Sequence, residues 1–193
     1  EAVKWYRKAA DKGHAPAQYN LGFMYSDGRG VTKNNAEAVK WYRKAAEQGH
    51  APAQYNLGNM YSDGRGVPEN NAEAVKWYRK AADKGHAPAQ HNLGVMYDYG
   101  RGVPKNNAEA VKWYRKAAEK GYTLAQYSLG NMHFEGSGVP ENNVKAYMWW
   151  SLAKARGHKD AAHNLNIIKN RMTPADISKA QELAAKWWED HND

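Results

Sequence analysis

The stretch that decides the fold is YNLGNMYSDGRGVPENNAEAVKWYRKAA, residues 55–82. The chain repeats it. EAVKWYRKAA begins at Glu1, Glu37, Glu73 and Glu109, a constant step of 36 residues, and a degenerate KAYMWWSLAK begins at Lys145, again 36 further on. A fixed period of this length marks an array whose unit is one supersecondary element. Two helices fit one period. In NNAEAVKWYRKAAEQGH, Asn34 and Asn35 are N-caps and Glu37 complements the helix dipole, while Ala38, Tyr42, Ala45 and Ala46 form an apolar stripe beside Trp41. Gly49 ends that helix. The other helix, APAQYNLGNMYSDG, has Pro52 near its start and Gly64 at its end, with Ala53, Leu57, Met60 and Tyr61 turned inward. No segment alternates with period two, so no sheet is expected.

A helix pair with one apolar face buries it only by stacking on the next pair, so the expected fold is an all-α solenoid. Gly58, with Gly22, Gly94 and Gly130 at the same place, is expected to let two helix backbones approach closely. Asn166 stands there in the fifth copy, which predicts a different neighbour. The expected organisation is a solenoid over residues 1–172, with repeats starting near 15, 51, 87, 123 and 159 after a half repeat, then a capping helix over 173–193. In that last segment Thr173 is the N-cap, Pro174 the first helical residue and Asp176 lies in the first turn; Ile177, Ala180, Ala184 and Trp187 share one face. The chain has no initiator Met and opens mid-pattern without a comparable cap, which reads as a trimmed start with any signal peptide outside it.

QYNLGNMY, followed by Ala74, Tyr78 and Ala81, resembles the tetratricopeptide pattern. The longer period, the GRGVP loop and the AVKWYRKAAxxG block resemble the Sel-one-like (Sel1-like) repeat family, relatives of tetratricopeptide proteins, over about residues 1–165. The resemblance implies a right-handed superhelix of antiparallel helix pairs, mostly bacterial, used as an adaptor scaffold. Some members staple each repeat with a cysteine pair; this chain has no cysteine, so that subtype does not apply.

The copies differ at particular places in the helix that carries Leu-Gly. Its fifth position is Tyr19, Tyr55, His91, Tyr127 and His163; its ninth is Phe23, Asn59, Val95, Asn131 and Ile167. The twelfth is Ser26, Ser62, Asp98 and Phe134, and the thirteenth Asp27, Asp63, Tyr99 and Glu135. Positions five, nine and twelve share a side of a helix. In superhelices of this kind that side lines the concave groove, so a fixed framework carries a varied groove. The candidate contact residues for a protein or peptide are Tyr19, Phe23, Tyr55, Asn59, His91, Val95, Asp98, Tyr99, Tyr127, Asn131 and Phe134. Exposed aromatic residues favour contact, though unselected drift after duplication leaves the same pattern. His91 and His163 are also placed to titrate near neutral pH.

Catalytic chemistry is not supported. Ser151–Lys154 matches S-x-x-K, but no companion S-D-N or K-T-G accompanies it. His14, His50 and His86 lie one repeat apart and so do not converge on one ion; no metal site or cofactor is expected, and these histidines read as local turn residues. DGRGV lacks the Lys-Ser/Thr of a phosphate loop. Lys and Arg outnumber Asp and Glu by 28 to 20, an excess carried largely by Lys40, Arg43, Lys44 and their copies on the outer face. Such a face attracts phosphates nonspecifically, but it reads first as a solvated surface, so nucleic acid is the lesser expectation. No run approaches the roughly 20 apolar residues of a membrane span. The expectation is a monomeric, noncatalytic adaptor, periplasmic or secreted by family resemblance; the alternatives are anionic-surface binding through the basic face and a spacer within a longer protein.

Overall fold

The structure, a computed structural model, describes residues 2–191. Eleven α-helices, one 3-10 turn and no strand occur among the described residues. In chain order the helices are α1 (Ala2–Asp11), α2 (Ala15–Asp27), α3 (Asn35–Glu47), α4 (Ala51–Asp63), α5 (Asn71–Asp83), α6 (Ala87–Tyr99), α7 (Asn107–Glu119), α8 (Thr123–Glu135) and α9 (Asn143–Ala155), with α2 packed on α3, α4 on α5 and α8 on α9. Then come α10 (Lys159–Ile168), the 3-10 turn Lys169–Arg171 and α11 (Pro174–His191). The chain forms two compact units. The first runs to Met96 and takes in Gly100–Pro104; the second comprises Tyr97–Tyr99 and continues from Lys105. Each is a stack of helix pairs, the architecture of an α-solenoid.

Local chemistry sets each helix. The side chains of Asn34, Asn70, Asn106 and Asn142 accept the N–H three residues on, capping α3, α5, α7 and α9. The Leu-Gly helices use a different cap. His14, His50, His86 and His158 accept through Nδ1, at 3.3 Å, from the N–H of Ala17, Ala53, Ala89 and Ala161. The local role expected of the first three is therefore N-capping, which requires a neutral ring. In α8 the N-cap is Tyr122, with no side-chain cap bond.

Stacking is close where a ring meets a glycine. A Cβ on Gly58 would lie 2.6 Å from the Tyr78 ring, and one on Gly22 2.8 Å from Tyr42. Gly130 stands against Trp150 in the same way. This corrects the sequence reading: these glycines clear space for an aromatic ring of the following helix, not for its backbone. In the loops, Gly66 sits at φ +74° against the carbonyl of Asn35, so a side chain there meets both backbone strain and a collision. Buried glutamines tie turns to helices: the Nε2 groups of Gln18, Gln54, Gln90 and Gln126 donate to the carbonyls of Ala10, Ala46, Ala82 and Ala118.

In the second unit α11 lies against α9. Ala180 joins the buried cluster of Tyr147, Trp150, Leu165 and Ile168, with Ile177 packed at its edge. Trp187 meets Trp149 edge-on at 6.4 Å. Asn166, the fifth-copy counterpart of the glycines, is exposed.

Candidate functional site

The fifth-position tyrosines are half-buried and lean on the next repeat. Tyr19 lies 5.9 Å from the Tyr42 ring and 5.0 Å from His50; Tyr55 lies 6.1 Å from Tyr78 and 5.1 Å from His86. Tyr127 stacks on His158 at 4.2 Å. The same rings that cap helices thus also carry tyrosine. These tyrosines share their area between packing and a potential partner, which the sequence pattern alone did not reveal.

The ninth position divides sharply. Asn59 accepts from the Tyr78 hydroxyl at 2.7 Å and from Asn92 Nδ2 at 3.3 Å. Asn131 accepts from Trp150 Nε1 at 3.0 Å, with Asn164 Nδ2 at a long 3.5 Å. Phe23 is exposed beneath the Arg29 guanidinium, 5.2 Å from its ring centre. Val95 is half-buried.

Further along, Asp98 accepts from the Tyr114 hydroxyl at 3.2 Å. Burial foremost, then the Asp98 charge, hold the Tyr114 phenol well above its ordinary pKa. Tyr99 stands in solvent at 67% exposure. Phe134 packs 5.4 Å from Trp150, with Arg171 5.2 Å from its ring centre. His91 is half-buried beside Asn92, and burial lowers its pKa below the ordinary histidine value. Its titration therefore moves to more acid pH than the sequence reading supposed.

Within the second unit, Tyr127, Asn131 and Phe134 converge. With Trp150, Asn164 and Ile167, and Glu135 at the rim, they line a cavity of about 220 Å³. Trp150 and Asn164 were missed from sequence because both hold near-constant positions: Tyr42, Tyr78 and Tyr114 precede Trp150, and Asn20, Asn56 and Asn92 precede Asn164. A search for variation passes over them. Trp150 in place of tyrosine was the available signal.

Basic residues of α3, α5 and α7 have partners of their own. Lys40, Lys76 and Lys112 form ion pairs with Glu37, Glu73 and Glu109. Lys44, Lys80 and Lys116 lie over the rings of Trp41, Trp77 and Trp113 at 4.2–4.3 Å, and Arg43 bonds the Tyr61 hydroxyl. Among the described residues no group of three or more metal-ligating side chains comes together, and no helix is long and apolar enough to cross a membrane.

Stacked helix pairs, with Gly22, Gly58 and Gly130 each lying under a ring of the following helix, define a repeat scaffold of the tetratricopeptide-like class. The chain belongs to the Sel1 repeat family: that family's model matches residues 1–14, 15–50, 51–86, 87–122 and 123–158. Repeats of this family generally serve as protein–protein interaction scaffolds. Among solved structures, the chain is 39% identical to c5321, a protective antigen present in uropathogenic Escherichia coli strains that displays an SLR fold, with a TM-score of 0.90 over 97% of this chain. It spans 40% of that antigen's length. A Sel1 repeat protein from Oxalobacter formigenes is 39% identical over 94% of this chain and 75% of its own, with a TM-score of 0.81. Immunity protein Pa5087 from Pseudomonas aeruginosa is 25% identical over 98% of this chain and 72% of its own, with a TM-score of 0.57. A search of the curated proteins returned no match.

Proposed function

We propose that this protein is a noncatalytic scaffold that binds a protein or peptide on the groove side of its Leu-Gly helices, with the cavity of the second unit as the principal contact. The observation that carries this reading is the convergence of Tyr127, Phe134 and Trp150 with the amides of Asn131 and Asn164 around one opening. Large aromatic walls with a few fixed polar groups are what a buried anchor side chain requires. Family membership supports the scaffold role. The engaged lysines and arginines of the outer face weigh against a polyanion as the main partner, because a cation already paired gains less from a phosphate. An exported setting draws support from the similar antigen of Escherichia coli.

The test is selection of random peptides displayed on phage, with the parent protein and Phe134→Ser as paired baits. Serine is the residue the repeats themselves carry at Ser26 and Ser62, so this change stays within the family of copies. Peptides enriched on the parent and bound at least about tenfold more weakly by the variant support the reading. Equal enrichment on both baits, or binding that collapses with added salt, moves the site to the outer face.

A further inference from the structure

We propose that the hollow where α9, α10 and α11 meet is a binding site for the terminal phosphate group of a small molecule. Its residues and its chemistry are separate from those of the groove, so the recognition reading stands or falls without it. The hollow measures about 410 Å³ and is lined by Tyr147, Ser151 and Lys154 of α9, Asn166 of α10, Lys169 of the 3-10 turn and Gln181 of α11. Each of these six side chains can donate a hydrogen bond, two carry a positive charge, and no carboxylate is among the lining residues. Glu182, next along α11, accepts from Ser178 Oγ at 3.4 Å. Unlike Lys40 and Lys44, Lys154 and Lys169 have neither an ion pair nor a ring partner among the described residues. Tyr147 is only 5% exposed, yet its hydroxyl has no hydrogen-bond partner among them either. A nearly buried hydroxyl at the wall of a hollow that holds two unpaired ammonium groups is satisfied by an acceptor entering that hollow.

The other copies of the repeat lack this chemistry. Ser151 stands where α3, α5 and α7 carry Arg43, Arg79 and Arg115, and Ala155 where they carry Glu47, Asp83 and Glu119. Tyr147 replaces Val39, Val75 and Val111. The last-turn lysine has moved as well: Leu152 takes the place of Lys44, Lys80 and Lys116, while Lys154 takes that of the buried Ala46, Ala82 and Ala118. Lys169 follows Tyr25, Tyr61, Tyr97 and His133. The hollow of about 470 Å³ beside α3 lies at the same register, on Val39, Arg43 and Glu47, but Glu37 and Glu47 both line it and its lysines already have partners. At α9 the acid is gone, the long arginine is a serine, and two lysines are open. Capping by α11 accounts for the apolar contact of Ala180. It does not account for two unpaired lysines beside an unpaired phenol. A phosphate monoester carries about two negative charges at neutral pH and three acceptor oxygens, which suits paired lysines among neutral donors better than a carboxylate's single charge does. The volume is that of a small-molecule site, and Leu165 and Ala155 supply an apolar wall for the rest of the ligand.

The experiment adds sodium phosphate, glucose 6-phosphate or glucose to the ¹⁵N-labelled full chain at constant ionic strength and follows its amide signals by NMR. Signals of Ser151, Lys154, Asn166, Lys169 and Gln181 are expected to shift and saturate with both phosphates and not with glucose. Tighter binding of glucose 6-phosphate assigns the site to an organic monoester, and equal binding assigns it to free phosphate; both support a phosphate site. Ala155→Glu restores the carboxylate of the sister copies at an exposed position and is expected to weaken binding at least about tenfold. Lys154→Gln and Lys169→Gln are each expected to weaken it several-fold to about tenfold, and Lys44→Gln on α3 to leave it unchanged. The absence of a saturable shift with either phosphate overturns the proposal. So does undiminished binding in Ala155→Glu, or a loss in Lys44→Gln as large as that in Lys154→Gln, which would show only a diffuse attraction to positive charge.

Discussion

Residues 1–10 and 37–46 are the same decapeptide, EAVKWYRKAA, in different surroundings. In α3, which packs against both α2 and α4, Trp41 and Tyr42 are 6% and 2% exposed. In α1, which packs against α2, Trp5 and Tyr6 are 68% and 37% exposed. Identical sequence, cap chemistry apart, thus has two energetic values. The helix is written locally; the worth of its aromatic residues is set by the Leu-Gly helix that precedes it, with a glycine under the tyrosine ring.

The strongest way to break that comparison is to delete the same residue twice. Tyr42→Ala is expected to cost about 3–5 kcal/mol, the range for emptying an aromatic site in a core, whereas Tyr6→Ala costs under about 1 kcal/mol. Urea titration of both variants checks it; equal losses would mean that burial by the neighbouring helix is not what gives Tyr42 its value.

A second comparison sets α8 against its sister helices. Tyr25, Tyr61 and His133 occupy one position of the repeat, and His133 is buried with its Nδ1 unpartnered. Burial first, then the charges of Lys145 and Arg115, push its pKa down to about 4 from the usual 6.5. The folded chain refuses a proton that the unfolded chain takes, so stability is full above pH 6.5 and falls as pH drops toward about 4. The loss is about 2–3 kcal/mol. His133→Tyr, which restores the sister residue, is expected to flatten this part of the pH–stability curve measured by urea unfolding. A slope unchanged by that substitution would place the acid sensitivity elsewhere, first in the capping histidines. His50 and His86 also have pKa values lowered by burial.

Smaller effects sharpen the picture of ring against glycine. Gly58→Ala places a methyl group against the Tyr78 ring and is expected to cost about 1–3 kcal/mol. In a Tyr78→Ala background most of that penalty should disappear, a coupling that a double-mutant cycle measures directly. Persistence of the full cost without the ring would return the glycine to a backbone role. Smallest of all, His50→Ala removes a cap and is expected to cost about 0.5–1 kcal/mol, whereas Tyr122→Asn supplies α8 with a side-chain cap and adds a similar amount. Thermal melts of the pair read both signs.

The site was partly legible. Tyr127, Asn131 and Phe134 emerged from comparing copies, because variation at a fixed register marks a surface that packing does not fully constrain. What it did not show is that Tyr19, Tyr55 and Tyr127 all lean on the capping histidines of the next repeat. It also passed over Asn164, because Asn20, Asn56 and Asn92 hold the same position and only Ser128 departs from it.

The period, the helix boundaries and the all-helical class follow from the sequence by itself, because they depend on contacts within a few residues: Asn34 reaching the N–H of Glu37, and Gly64 taking a positive φ at the end of α4. Which rings are buried, which glycines are irreplaceable and where a cavity opens were decided only in tertiary structure. Those depend on residues that lie about twenty to thirty positions apart in sequence and meet between helices, as Trp150 does with Asn131 and Asn164 with Asn131. A repeat specifies each layer in the same words; what a given copy does depends on the layer beside it.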